Sequence, residues 1–174
     1  MKVLVIYASV EGQTAKIAEF VAEEITGLGH EVELVNADDS VEISLDGVEA
    51  VVLAGSVHQR RHTRNFEAML SVQAADLKEI RTLLLSVSLN AAFPEGLDEA
   101  QEYVGDMLMR TGLAPDRTVL VGGALRIAQY DYFAMQVVRH VVMRNRPFDP
   151  SQTVHEFTDW GAVAKEVRAF LGQE

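Results

Sequence analysis

Val3-Leu4-Val5-Ile6-Tyr7, running directly into Ala8-Ser9-Val10-Glu11-Gly12-Gln13-Thr14, is the stretch from which the fold can be read. The first five residues form a short apolar run that stops at small and turn-prone residues, as a strand buried on both faces of a parallel sheet does. Beyond the turn, Ile17, Ala18, Val21, Ala22, Ile25 and Leu28 recur at threes and fours. That spacing predicts a helix with one apolar face, which Gly27 and Gly29 can end.

The same kind of run recurs at Val51 to Ala54, Thr82 to Val87 and Thr118 to Val121, whereas Glu31 to Val35 alternates polar and apolar residues as an edge strand does. Helical spacing covers Phe66 to Leu70, Leu97 to Met109, Tyr130 to Arg144 and Trp160 to Leu171. Five alternations of strand and helix predict an α/β fold, a doubly wound five-stranded parallel sheet in the order 2-1-3-4-5 with helices on both faces. The edge character of the second strand favours this order over a six-stranded dinucleotide fold. With 174 residues, 48% of them hydrophobic, the chain reads as one domain over residues 1–174 with a buried core. Pro147 and Pro150 mark the loop into the last helix.

Composition closes several function classes. The absence of cysteine excludes disulfides, thiolate metal sites and cysteine nucleophiles, so any redox chemistry must come from a bound cofactor. A formal charge of −11 argues against nucleic acid as a partner. The apolar run at the N-terminus is too short for a signal-peptide core, and the expected location is cytoplasmic.

The segment Ser9 to Thr14 stands between the first strand and the first helix, where unpaired backbone N–H groups carry partial positive charge. A monophosphate fits there, with hydroxyls from Ser9 and Thr14 completing its shell, and no lysine is required. The segment lacks both the Gly-Lys-Ser/Thr ending of an ATPase loop and the three glycines of dinucleotide binding. The plain alternative is that Thr14 or Ser9 only caps the helix.

With its Ser-x-x-Gly-x-Thr form, this loop resembles the FMN-phosphate loop of the flavodoxin family. More narrowly, the chain is similar to the flavodoxin-type, menaquinone-dependent protoporphyrinogen oxidases (dehydrogenases). That similarity rests on Gly12-Gln13-Thr14, on Ala54-Gly55-Ser56-Val57 leading to Asn65-Phe66, on Gly123-Ala124-Leu125-Arg126 with Tyr130, and on Phe157-Thr158-Asp159-Trp160. The resemblance implies an FMN-dependent oxidoreductase of haem biosynthesis. Protoporphyrinogen IX or a related reduced tetrapyrrole would give hydride to flavin N5, and a quinone would reoxidise the flavin. It implies Ser9, Glu11, Gly12, Gln13 and Thr14 at the phosphate, and Arg126 with Tyr130 as candidate catalytic residues beside the substrate. Two readings from other classes stay open: a flavodoxin-type electron-transfer protein, and a cofactor-free regulatory domain.

In a doubly wound sheet the ligand lies beyond the carboxyl ends of the strands, so the loops after strands three and four should flank the ring. Candidate ring contacts are Ser56, Val57 and His58 in the first loop, and Ser86, Val87, Ser88, Leu89 and Asn90 in the second. Flavodoxins usually stack Trp or Tyr on the flavin, but these loops offer only His58, His62 and Phe93. The first loop also carries Arg60, Arg61 and Arg64 with no acidic residue from Ser56 to Asn65. Such charge favours an anionic reduced flavin and suits docking of a carboxylate substrate such as a porphyrin propionate. His58 and His62 read as solvated imidazoles on an exposed loop and not as a metal pair, for want of a third ligand.

On the helix Tyr130 to Arg144, Ala134, Met135, Val138, Val141 and Val142 make a core stripe. The other face sets Tyr132, Phe133 and Met143 among Gln136, Arg139, His140 and Arg144. That face suits peripheral contact with the inner face of the cell membrane, or burial under a neighbouring loop or a second copy. Near the C-terminus, Thr158 is expected to cap the last helix, with Asp159 in its first turn and Trp160 packed on the sheet.

Overall fold

The computed structural model describes residues 1–39, 42–126, 136, 139, 143 and 153–173. Along the chain lie β1 (Lys2–Ala8), α1 (Gln13–Gly27), β2 (Glu31–Asn36), β3 (Ala50–His58), β4 (Arg61–His62) and α2 (Arg64–Leu77). After them come β5 (Arg81–Ser88), α3 (Leu97–Thr111), β6 (Arg117–Gly122), β7 (Ala124–Arg126), β8 (Val154–Glu156) and α4 (Trp160–Phe170). Five parallel strands stand in the order β2-β1-β3-β5-β6, the expected doubly wound order once the short β4 is set aside.

The pleat explains why these apolar runs had to be buried on both sides. Val3 and Val5 of β1, Val52 of β3, and Leu83 and Leu85 of β5 face α1 and α4, packing with Ile17, Val21, Ile25, Val163 and Val167. Their neighbours Leu4, Ile6, Val51, Leu53 and Leu84 point the other way, onto Phe66, Leu70, Leu77, Val104 and Met107 of α2 and α3. Successive side chains thus feed two cores, so a strand facing both helix layers has no polar positions to spare.

The structure departs from expectation in two places. The residues expected to be a loop from Ser56 include a two-residue hairpin, in which β3 runs on to His58 and β4 returns antiparallel, Val57 opposite His62. The turn holds Gln59 and Arg60 at φ 51° and 66°. At the last helix, Asp159 and not Thr158 is the cap, its side chain accepting from the Ala162 N–H at 2.9 Å. Trp160 packs edge-on against Phe20 of α1 at 5.0 Å between centroids and leans on the core that α1 and α4 share with the sheet. The helix expected over Tyr130 to Arg144 lies almost wholly outside the described residues, Tyr130 included. Met143, on the face read either as a membrane contact or as buried under a neighbour, is buried against Leu125. No helix among the described residues is long and apolar enough to cross a membrane.

Candidate functional site

The carboxyl ends of β1, β3, β5 and β6 meet along one rim. The register pairs Ala8 with Gly55, Ser56 with Val87, and Ser88 with Gly122. The chain first steps from β1 outward to β2 and then crosses to β3, so the order reverses between β1 and β3 and opens a crevice there. Ser9 to Thr14, Ser56 to His58 and Ser86 to Asn90 therefore all lie on this rim.

The loop after β1 has the geometry of an anion cradle. Gly12 takes φ 99°, a value that favours glycine, and is the N-cap of α1 without any side-chain cap. The first bond of the helix is Lys16 N–H to Gly12 C=O at 3.1 Å, which leaves the N–H groups of Gln13, Thr14 and Ala15 without an intrahelical acceptor. The Ser9 hydroxyl accepts from the Gly12 N–H at 3.0 Å and so shapes the turn. Thr14 is buried within the helix, so neither hydroxyl serves as a cap.

Gln13 is almost fully buried, and its amide is spent on the protein. The nitrogen donates to Glu156 Oε2 at 3.1 Å and to Thr158 Oγ1 at 3.0 Å, and the oxygen accepts from Arg126 Nη2 at 2.8 Å. Thr158 in turn donates to the Gly122 carbonyl at 2.6 Å. Lys16 donates to Glu156 at 2.7 Å and, as the largest cause, holds that carboxyl below its ordinary range. These contacts fasten the loop to the antiparallel pair β7–β8. Arg126, expected beside the substrate, lies against the loop after β1.

On the β3 side, Gly55 has no room for a side chain, since a Cβ there would meet the Phe66 ring at 2.3 Å. Ser56 Oγ is buried without a partner. Val57 is half-buried and His58 is exposed. His62 is the main correction to the sequence reading, for it is buried and not solvated, with Nε2 2.9 Å from Ser86 Oγ and Nδ1 unpartnered. Burial pushes its pKa down to about 4, against the opposing pull of Glu67.

The arginines are also opposed, by carboxylates from other elements. Arg60 lies 3.3 Å from Glu99, and Arg61 lies 2.8 Å from Glu67. Arg110 adds a second cation to Glu67 at 2.6 Å. Burial alone would raise the Glu67 carboxyl, yet hydrogen bonds from Arg110 and Arg61 hold it below the ordinary value. The expectation of unopposed charge thus fails for Arg60 and Arg61. Arg64 has no ion pair among the described residues and lines a pocket of about 390 Å³ with Arg61, Glu67 and Arg110.

On the β5 side, Val87 and Ser88 are buried, and the Ser88 hydroxyl accepts from Ala91 N–H at 3.1 Å, closing the turn after the strand. Leu89 leans on Leu125 and Met143. Asn90 donates to the Tyr103 hydroxyl, which donates to Glu99 at 2.6 Å. Burial first, and then Glu99, raises that phenol to about 12. Phe93 is engaged edge-on with Phe157 at 5.3 Å.

Comparison with known proteins places this geometry. A sequence profile of the flavodoxin domain matches residues 4–151. Protoporphyrinogen IX dehydrogenase (quinone) of Escherichia coli strain K12 is 25% identical over 169 residues, covering 97% of this chain and 93% of its own. Oxidised flavodoxin 1 from Bacillus cereus superposes with a TM-score of 0.57 at 16% identity, covering 100% of this chain and 99% of its own. Flavodoxin 2 from the same organism gives 0.57 at 17%, covering 99% of each chain. These structural likenesses speak to the fold. With the profile spanning most of its length and the loop after β1 shaped for an anion, the chain belongs to the flavodoxin domain family.

Proposed function

We propose that the chain is an FMN-dependent oxidoreductase that oxidises a reduced tetrapyrrole, protoporphyrinogen IX or a near relative, with a quinone as electron acceptor. The observation that carries this reading is the likeness to the E. coli dehydrogenase over nearly the full length of both chains. The residues present fit the cofactor. Free N–H groups stand at the start of α1, and a buried Ser56 Oγ lacks a partner among the described residues.

In this reading Ser9, Glu11, Gly12, Gln13 and Thr14 hold the phosphate, Gln13 through its backbone N–H because its amide is committed to the β7–β8 pair and Thr158. Ser56 to His58 and Ser86 to Asn90 flank the ring, and His62 fixes the Ser86 hydroxyl from behind. FMN, when bound, supplies a hydride acceptor at N5 that a quinone can return to its oxidised form. The protein orients the partners; no side chain on the described rim stands out as a general base.

The test is an anaerobic absorbance titration of the FMN-loaded chain with protoporphyrinogen IX, then menaquinone. Bleaching of the flavin band on the first addition and its recovery on the second are expected. Flavin that binds and stays oxidised overturns the oxidase and leaves an electron carrier. Carboxylate docking falls to Arg64, the arginine of the loop without an ion pair among the described residues. Arg64→Gln is expected to raise KM for the porphyrinogen by roughly threefold to tenfold with kcat nearly unchanged, as loss of one partly exposed charge contact does. Initial-rate kinetics check this, and an unchanged KM removes Arg64 from substrate binding.

A further inference from the structure

The phosphate loop is backed by a cation that nothing in the neighbouring sequence announces. Arg126 lies 113 residues from Gln13 along the chain, yet its Nη2 donates to Gln13 Oε1 at 2.8 Å. A Cβ built on Gly12 would stand 3.9 Å from Arg126 Cζ, so the guanidinium lies alongside the residue that opens α1. Its Nε is buried and has no hydrogen-bond partner among the described residues.

A guanidinium offers five N–H donors in a rigid fork and no acceptor, and leaving one buried and unpaired is costly unless an anion meets it. The surroundings fix where that fork stands. Gln13 can turn only its oxygen toward Arg126, because its nitrogen is held by Glu156 and Thr158. Thr158 is itself tied to Gly122. Lys16, the other cation on this side, is engaged by Glu156 at 2.7 Å.

We propose that Arg126 is a ligand of the flavin phosphate, and that through it the β7–β8 pair makes the site select a flavin ending in a phosphate monoester over one that lacks it. The inference rests on the FMN reading above. It moves Arg126 from the reacting end of the flavin to the opposite end.

The experiment titrates apoprotein, wild type and Arg126→Gln, with FMN and separately with riboflavin, following quenching of flavin fluorescence at fixed ionic strength. Losing a charge-assisted bond to phosphate is expected to weaken FMN binding roughly tenfold to a hundredfold. Riboflavin binding should stay within about twofold, and it doubles as the check that the variant is folded. Equal loss for both flavins makes Arg126 a scaffold of the loop and overturns the proposal, and so does no loss for either. If Arg126→Gln does not fold, Arg126→Lys decides, since an ammonium lacks the planar fork that can meet a phosphate with parallel N–H groups while another holds Gln13. Its preference for FMN over riboflavin should fall several-fold, and a preference equal to wild type overturns the proposal. A wild-type chain that takes up neither flavin overturns the FMN reading itself, an outcome separate from those above.

Discussion

Phe66→Ala is expected to lower the free energy of unfolding by about 3–5 kcal/mol, the usual cost of emptying a fully buried aromatic site. Phe66 is wholly inaccessible, among the largest such side chains, and fills the space between α2 and the end of β3. Its ring occupies the position that Gly55 leaves vacant. Gly55→Ala should cost about 1–3 kcal/mol by overpacking, because the ring it strikes has no free space to move into. The two positions are therefore coupled. Gly55→Ala with Phe66→Leu should be more stable than the sum of the single changes by about 1 kcal/mol or more. Denaturant melts of the four proteins check this, and strict additivity would remove the proposed interlock. Since Ser56 follows Gly55 directly, the same interlock fixes where the rim loop departs from the sheet.

Stability should also fall steeply in mild acid because of His62. Its pKa is pushed down to about 4 by burial, from an unfolded value of 6.5. Between those values the unfolded chain binds a proton that the folded chain refuses. Stability therefore drops as pH falls through 6.5 and stops dropping on this account near 4. At 1.36 kcal/mol for each unit, the loss between pH 7.5 and 4 is about 3 kcal/mol. Glu67 acts in a different window, since a depressed carboxyl loses its contribution only from about its unfolded 4.5 downward. His62→Gln keeps a side chain that can reach Ser86 and removes the titration. Its melting midpoint should change far less than that of wild type between pH 7.5 and 5, and parallel profiles would refute the assignment.

The sheet and its order were legible because local chemistry and long-range packing agree. Val3 to Tyr7 is apolar at every position, as a strand covered on both sides requires, and Glu31 to Val35 alternates because β2 is an edge. The loop after β1 was legible for the same reason, since its glycine and hydroxyls act on their own neighbourhood. What escaped the sequence depends on partners far along the chain. Gln13 looked like a phosphate contact, but its amide is claimed by residues 113 to 145 positions away. His62 looked solvated because the β3–β4 turn is built on Gln59 and Arg60, not on the Asn-Gly pair that usually signals such hairpins. The carboxylates facing Arg60 and Arg61 come from α3 and α2, so a window from Ser56 to Asn65 showed only the positive half.

The fastening of the first loop by the β7–β8 pair also sets an order of events during synthesis. β1, α1 and β2 emerge early and their contacts are short-range, so this unit can take shape while the rest is still being made. The clamp on Gln13 waits for Arg126, and then for Glu156 and Thr158, 143 and 145 residues on. Loop closures that long are slow and come late in folding. The loop after β1 is thus made well before the β7–β8 pair that locks it, so its final shape waits on a segment synthesised more than a hundred residues later.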